Sequence, residues 1–147
     1  HNKVYNPLSN YNKAITKLSA NGIRPTKQRM ILAKLLFEKG KRHISAEDLF
    51  DEVRNEDRKI SLATIYNTLK QFTSLGLIRE IVVDQNKSLY CTNKESHYHL
   101  YIEDENKVID IPTKNIDLNI PSIPACLKLH DVDVIVRIRT LKEKYKN

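Results

Sequence analysis

Residues 61–92, SLATIYNTLKQFTSLGLIREIVVDQNKSLYCT, change from a helical pattern to a strand pattern within one stretch of chain. Apolar residues recur every three or four positions from 62 to 72, which predicts a helix with one buried face, and Gly76 follows as its terminator. Residues 77–83 and 88–92 are apolar and β-branched on either side of a polar turn, which predicts a β-hairpin. A helix that leads directly into a hairpin is typical of the end of a winged helix-turn-helix.

Three further helices are predicted before this stretch. The first covers residues 10–21 and ends before Gly22. Thr26 is the predicted N-cap of the second helix, and Ser45 and Ser61 begin the third and fourth, since a hydroxyl can accept a hydrogen bond from a backbone N–H group of the first turn. The sequence therefore predicts an N-terminal winged helix-turn-helix domain over residues 1–92.

A second, smaller domain is predicted over residues 93–147. Residues 98–111 favour a strand pair that turns at 103–106, and residues 132–138 alternate between apolar and charged side chains as a third strand. The fold class is accordingly α+β, with the helices and hairpin first and the small domain after them.

Composition restricts the partners. The 147 residues contain 25 Lys and Arg against 18 Asp and Glu, a net charge of +7 with a pI near 9.4, which favours a polyanion. The two cysteines, Cys91 and Cys126, form no CxxC pair, so we expect no structural zinc of that type and a reducing, cytoplasmic setting. No run of eighteen apolar residues occurs, so we expect no membrane partner.

The polar face of the helix that begins at Ser61 is a candidate for reading DNA. Thr64, Asn67 and Lys70 lie opposite the apolar face at 100° per residue, together with Gln71 and Ser74. Hydroxyl and amide groups can bond base edges, and a lysine can neutralise a phosphate. An ordinary amphipathic helix with a solvated face has the same pattern, but the order of elements and the net charge favour DNA.

His97 and His99 are candidate metal ligands. Two residues apart on a strand, they point to the same face, and an acidic turn follows at 103–105. Each histidine taken singly is more often structural. A small metal-dependent hydrolase could use such groups, although no HExxH motif occurs. A non-specific architectural protein would need only the basic surface.

Several motifs together resemble one family over nearly the whole chain. They are RPTKQR at 24–29, HISAEDL at 43–49, SLATIYNTL at 61–69, HYH at 97–99 and KVID at 107–110. They resemble the ferric uptake regulator (Fur) superfamily. The stretches YNTLKQFT at 66–73 and VDVIVR at 132–137 further resemble its iron response regulator (Irr) branch.

This resemblance implies that the second domain is an α/β dimerisation and sensing domain, and that a homodimer binds AT-rich palindromic operator DNA. It implies that Tyr66 contacts thymines and backbone and that Arg24 enters the minor groove. It also implies a regulatory metal site, with matching positions at His43, Cys91, His97, His99 and Asp110. Cys91 stands where relatives carry a carboxylate, and a thiolate favours zinc, iron or haem over manganese.

We therefore expect an iron- or haem-responsive transcriptional regulator, mainly a repressor, that performs no catalysis. His97 and His99 are the candidate haem ligands that remain of a longer histidine motif in the Irr branch. The alternative is a metal- or peroxide-dependent Fur-type repressor with zinc, manganese or iron as corepressor. In its peroxide-dependent form, His97 or His99 would be oxidised beside bound iron.

Overall fold

The computed structural model describes residues 7–141, which divide after Lys94 into two units. The described part of the first unit has seven elements, in order α1 (Pro7–Ala20), α2 (Lys27–Phe37), β1 (His43–Ile44), α3 (Ala46–Asn55), α4 (Leu62–Ser74), β2 (Arg79–Asp84) and β3 (Lys87–Cys91). The described part of the second unit has β4 (His97–Ile102), β5 (Lys107–Pro112), a 3₁₀ turn (Thr113–Asn115) and β6 (Ile135–Ile138).

Side-chain caps begin the helices where the sequence predicts them. The hydroxyl oxygens of Thr26, Ser45 and Ser61 accept hydrogen bonds from backbone N–H groups three residues later, at 3.3, 3.0 and 3.1 Å. Gly22 and Gly76 have φ angles of +72° and +71°, in the left-handed region that favours glycine after a helix. These predictions are confirmed, although α1 begins three residues earlier and ends one residue earlier than the predicted 10–21.

The hydrophobic core of the first unit packs the apolar face of α4 against the other helices. Ile65, Leu69 and Phe72 are 0% exposed, which confirms the predicted inward face, whereas Leu62 is only half-buried. Burial of each such side chain stabilises the fold by roughly 1.5 to 3 kcal/mol. Thr68 is also buried, and its hydroxyl donates to the Thr64 carbonyl at 2.8 Å.

The sheet of the first unit has the order β1-β3-β2, with both pairings antiparallel. The β2–β3 hairpin is the predicted one. The two-residue strand β1 is not predicted from the sequence, because two residues are too few to show a period. It pairs His43 with Cys91 and thereby makes β3 the central strand.

The sheet of the second unit has the order β5-β4-β6. β4 pairs antiparallel with β5, as predicted, and parallel with β6, which begins at Ile135 rather than at 132. Within residues 95–141 the 3₁₀ turn is the only helical element. No helix within residues 7–141 has both the length and the apolar character needed to cross a bilayer.

Candidate metal ligands and nucleic-acid surface

The first unit places two of the predicted ligands on neighbouring strands. His43 on β1 and Cys91 on β3 are Cα partners in the register, and their ligand atoms lie within 4.8 Å of each other. Cys91 is 1% exposed. The Arg42 backbone N–H donates to the Thr92 hydroxyl at 3.0 Å and the Thr92 N–H donates to the Arg42 carbonyl at 3.1 Å, and these bonds hold the two strand ends in register.

The second unit brings the other three predicted ligands together. His97 and His99 lie on one face of β4, and Asp110 is the register partner of His99 on β5. The Nε2 atoms of His97 and His99 lie 3.2 and 3.5 Å from the same carboxylate oxygen, Asp110 Oδ1. Both histidines are buried, and their ring centroids are 4.5 Å apart. Two imidazoles and a carboxylate therefore converge on one point.

A hydrogen bond fixes which nitrogen of His97 can bind a metal. The Nδ1 atom contacts the Glu95 carbonyl oxygen, and a carbonyl only accepts, so Nδ1 carries the proton. A neutral His97 then directs the Nε2 lone pair at Asp110 Oδ1, and two acceptors repel unless a proton or a metal cation lies between them. A backbone carbonyl bonded to the second ring nitrogen is the usual support for a metal-binding histidine. The donor set of the second unit thus fits a divalent metal ion.

The predicted DNA-reading residues of α4 lie on the outer side of the first unit. Asn67 and Lys70 are exposed, Tyr66 is 43% exposed, and Thr64 is half-buried, with its hydroxyl accepting a hydrogen bond from Ser61 Oγ at 2.8 Å. The Tyr66 hydroxyl donates to the Glu47 carboxylate on α3, and this bond raises the pKa of Tyr66.

An open groove of about 760 Å³ runs between the first turn of α2 and the polar face of α4. The residues that line it are polar or basic, namely Thr26, Lys27, Gln28, Arg29, Thr64, Asn67, Thr68, Lys70, Gln71 and Ser74. Arg29 also donates to the carbonyl of the exposed Arg24. Arg29 lies in the RPTKQR motif, but the sequence gives no signal for its contact with Gln71, because the two residues are 42 positions apart in the chain.

Comparisons with known proteins agree with this architecture. The family model described as the ferric uptake regulator family matches residues 20–138. The peroxide-responsive repressor PerR of Staphylococcus saprophyticus is 31% identical over 104 residues, which cover 71% of this chain and 70% of that protein. The ferric uptake regulator structure of Helicobacter pylori aligns over the full length of both chains, with a TM-score of 0.68 and 19% identity.

A second solved structure, the ferric uptake regulator of Francisella tularensis with iron, has a TM-score of 0.66 and 24% identity. The alignment covers 84% of this chain and 96% of that one. At these identities the two structures support the fold, whereas the family match extends over most of the sequence. The chain belongs to the ferric uptake regulator family. The resemblance noted in the motifs is therefore confirmed at the level of the family.

Proposed function

We propose that the protein is a metal-responsive transcriptional repressor that binds operator DNA as a homodimer. The observation that carries this proposal is the convergence of His97 and His99 on Asp110, in a chain whose other unit presents a basic groove beside an exposed helical face. The relative from S. saprophyticus is named a repressor, and the H. pylori structure is described as having three functional metal-binding sites.

We propose that one regulatory ion takes ligands from both sets, as the family resemblance implies. His43 and Cys91 contribute an imidazole and a thiolate from the first unit, and His97, His99 and Asp110 contribute two imidazoles and a carboxylate from the second. When bound, the ion supplies a crosslink between ligands that belong to different units. The thiolate makes this donor set softer than one of imidazoles and carboxylates, which favours zinc or iron over manganese.

The proposed DNA contacts come from α4 and from the arm before α2. Asn67 and Lys70 are exposed on one face with Thr64 and Tyr66 beside them, a set that can bond base edges and phosphates in a major groove. Arg24, also exposed, is proposed to enter the adjacent minor groove of AT-rich palindromic DNA. The net charge of +7 favours such a partner.

A more specific version of this proposal is that the protein responds to iron or haem, as the resemblance to the Irr branch implies. It is supported by the absence of CxxC pairs from the sequence and by the thiol at Cys91. However, His97 and His99 are 6% and 4% exposed and both face Asp110, which suits a small ion better than a porphyrin. We therefore favour a metal ion as the effector over haem.

One titration tests the proposal. Fluorescence anisotropy of a labelled AT-rich palindrome, and of a scrambled duplex with the same composition, is measured with metal-free, zinc-loaded, iron-loaded and haem-loaded protein. We expect zinc or Fe(II) to tighten binding to the palindrome by about 5- to 150-fold, the usual range of coupling between two sites.

The variant His99→Ala should remove this effect, whereas His130→Ala, which alters an exposed histidine outside both ligand sets, should retain it. Equal affinity in all four states would reject the sensor. An effect of haem alone would favour the Irr assignment, and equal affinity for both duplexes would leave a non-specific DNA-binding protein.

A further inference from the structure

Arg29 hydrogen-bonds to two segments that the proposed function places on DNA. Its Nε atom donates to Gln71 Oε1 on α4 at 3.1 Å, and its Nη1 atom donates to the backbone carbonyl of Arg24 at 2.7 Å. Its own backbone N–H donates to the Thr26 cap. We call this pair of side-chain hydrogen bonds the Arg29 bridge. It joins the arm that carries Arg24 to the third turn of α4.

The Arg29 bridge determines which end of the Gln71 amide faces the groove. A guanidinium group only donates, so the amide atom that it contacts must be the oxygen, Oε1. The Nε2 donors of Gln71 are then the end left for a ligand in the groove that Gln71 lines with Asn67 and Lys70. The usual glutamine contact with adenine uses both ends of the amide, accepting from N6 and donating to N7. The bond from Arg29 occupies one of the two lone pairs of Oε1 and holds that oxygen toward α2, so the Nε2 donors are the end of Gln71 that is better placed to contact a base.

We propose that Arg29 is a positioning residue for sequence recognition. It holds the backbone of Arg24 beside α4 and orients the Gln71 amide so that it favours base edges that accept, such as guanine O6 and N7 or thymine O4. This inference rests on the proposed function, because it requires that α4 lies in a major groove. It adds a role for two residues, Arg29 and Gln71, that have none in the metal-responsive switch.

The test selects duplexes from a library with a random core and sequences those that bind. It compares the full-length wild-type chain with Arg29→Met and with the matched control Lys27→Met. Each variant removes one positive charge from the first turn of α2, but only Arg29 forms the bridge. Wild-type protein should enrich duplexes that have guanine or thymine, whose edges accept hydrogen bonds, at one position of each half-site. Arg29→Met should weaken binding to that sequence about tenfold, as expected for disrupting one base contact, and adenine should become enriched at that pair.

Lys27→Met should instead weaken binding to all sequences alike and reduce the salt dependence by about one phosphate contact per protomer, with the base preference unchanged. The same enrichment profile for Arg29→Met and Lys27→Met would overturn the inference. Failure of the wild-type chain to enrich any sequence would count against the proposed function itself, so the two failures are distinguishable.

If Arg29→Met lowers the melting temperature, a second variant tests the same inference with the fold intact. Gln71→Glu retains an acceptor for Arg29 but removes the Nε2 donors, so the fold and the bridge should persist. We expect the acceptor preference to disappear and cytosine, whose N4 group donates, to become enriched at that pair. An unchanged profile for Gln71→Glu would show that Gln71 contacts no base, which would also overturn the inference.

Discussion

The two units of the chain differ in what fills their interiors. In the described part of the first, nineteen buried hydrophobic residues form one continuous cluster. In the described part of the second, the buried hydrophobic residues are Tyr101 and Val108, and the histidines His97 and His99 are buried as well. The exposed apolar residues of the second unit include Leu118, Ile120, Ile123, Leu127 and Leu129. An apolar core holds the first unit, whereas the second depends more on strand pairing and on its histidine cluster.

The largest expected effect on stability comes from truncating a buried side chain in each unit. Phe72→Ala removes a 0% exposed ring that packs against Phe37, so we expect it to lower the free energy of unfolding of the first unit by about 3 to 5 kcal/mol. Val108→Ala removes two methyl groups from a 9% exposed position and should cost less than about 2 kcal/mol. Urea titration followed by amide hydrogen exchange measures both units separately. Equal losses at the two positions would contradict the difference in cores.

The next effect concerns the histidine cluster. Zinc at one hundred times its dissociation constant should stabilise the protein by about 2.7 kcal/mol, because the ion binds the folded chain and not the unfolded one. Since His97, His99 and Asp110 lie on β4 and β5, slower exchange should be strongest for the amides of these strands. His99→Ala should lose most of this stabilisation and His130→Ala should keep it. Equal zinc protection of both variants would show that the cluster does not bind the ion.

The smallest expected effect on stability comes from removing the charge of one paired glutamate in each unit. Glu52 bonds to Arg42 and Lys39 in a half-buried setting, whereas Glu103 pairs with the exposed Arg137 and Arg139. Burial tends to raise the pKa of Glu52, but the hydrogen bonds from Arg42 and Lys39 outweigh burial, and its pKa is lowered. Glu52→Gln should therefore destabilise the protein at neutral pH by about 1 to 2 kcal/mol, and Glu103→Gln by less than about 1 kcal/mol.

The contribution of Glu52 to stability should depend on pH in a definite direction. Because the folded-state pKa of Glu52 lies below the unfolded value of 4.5, its contribution is present above pH 4.5 and is lost as the pH falls through the lowered pKa. Thermal unfolding of the wild type and of Glu52→Gln between pH 3 and 7 measures it. The difference between the two should shrink as the solution becomes acidic, and a difference that grows toward low pH would contradict the assignment.

Most of the fold follows from local patterns in the sequence. The caps at Thr26, Ser45 and Ser61 and the turn at Gly76 depend on residues within one or two turns, so propensity and period suffice. The strand β1 and the Arg29 bridge depend on partners 48 and 42 residues away along the chain. Such pairings arise from packing, which no local pattern records.

The candidate metal site likewise has features that the local sequence predicts and features that depend on the tertiary structure. The spacing of His97 and His99 places both on one face of a strand, which the sequence alone indicates. The position of Asp110 opposite His99 depends on the register of β4 and β5, and that register is set by the turn between them. The tautomer of His97 depends on the path of the backbone at Glu95, which carries no sequence signature.

The central position of β3 has a mechanical consequence. β3 is hydrogen-bonded to β2 along its length and to β1 at Tyr90 and Cys91, and a slip of one residue would exchange the faces on which its side chains lie. The five residues of β3 span about 17 Å, so we expect a displacement of Cys91 along the strand axis to reach the neighbouring strands and the hairpin turn through these backbone hydrogen bonds.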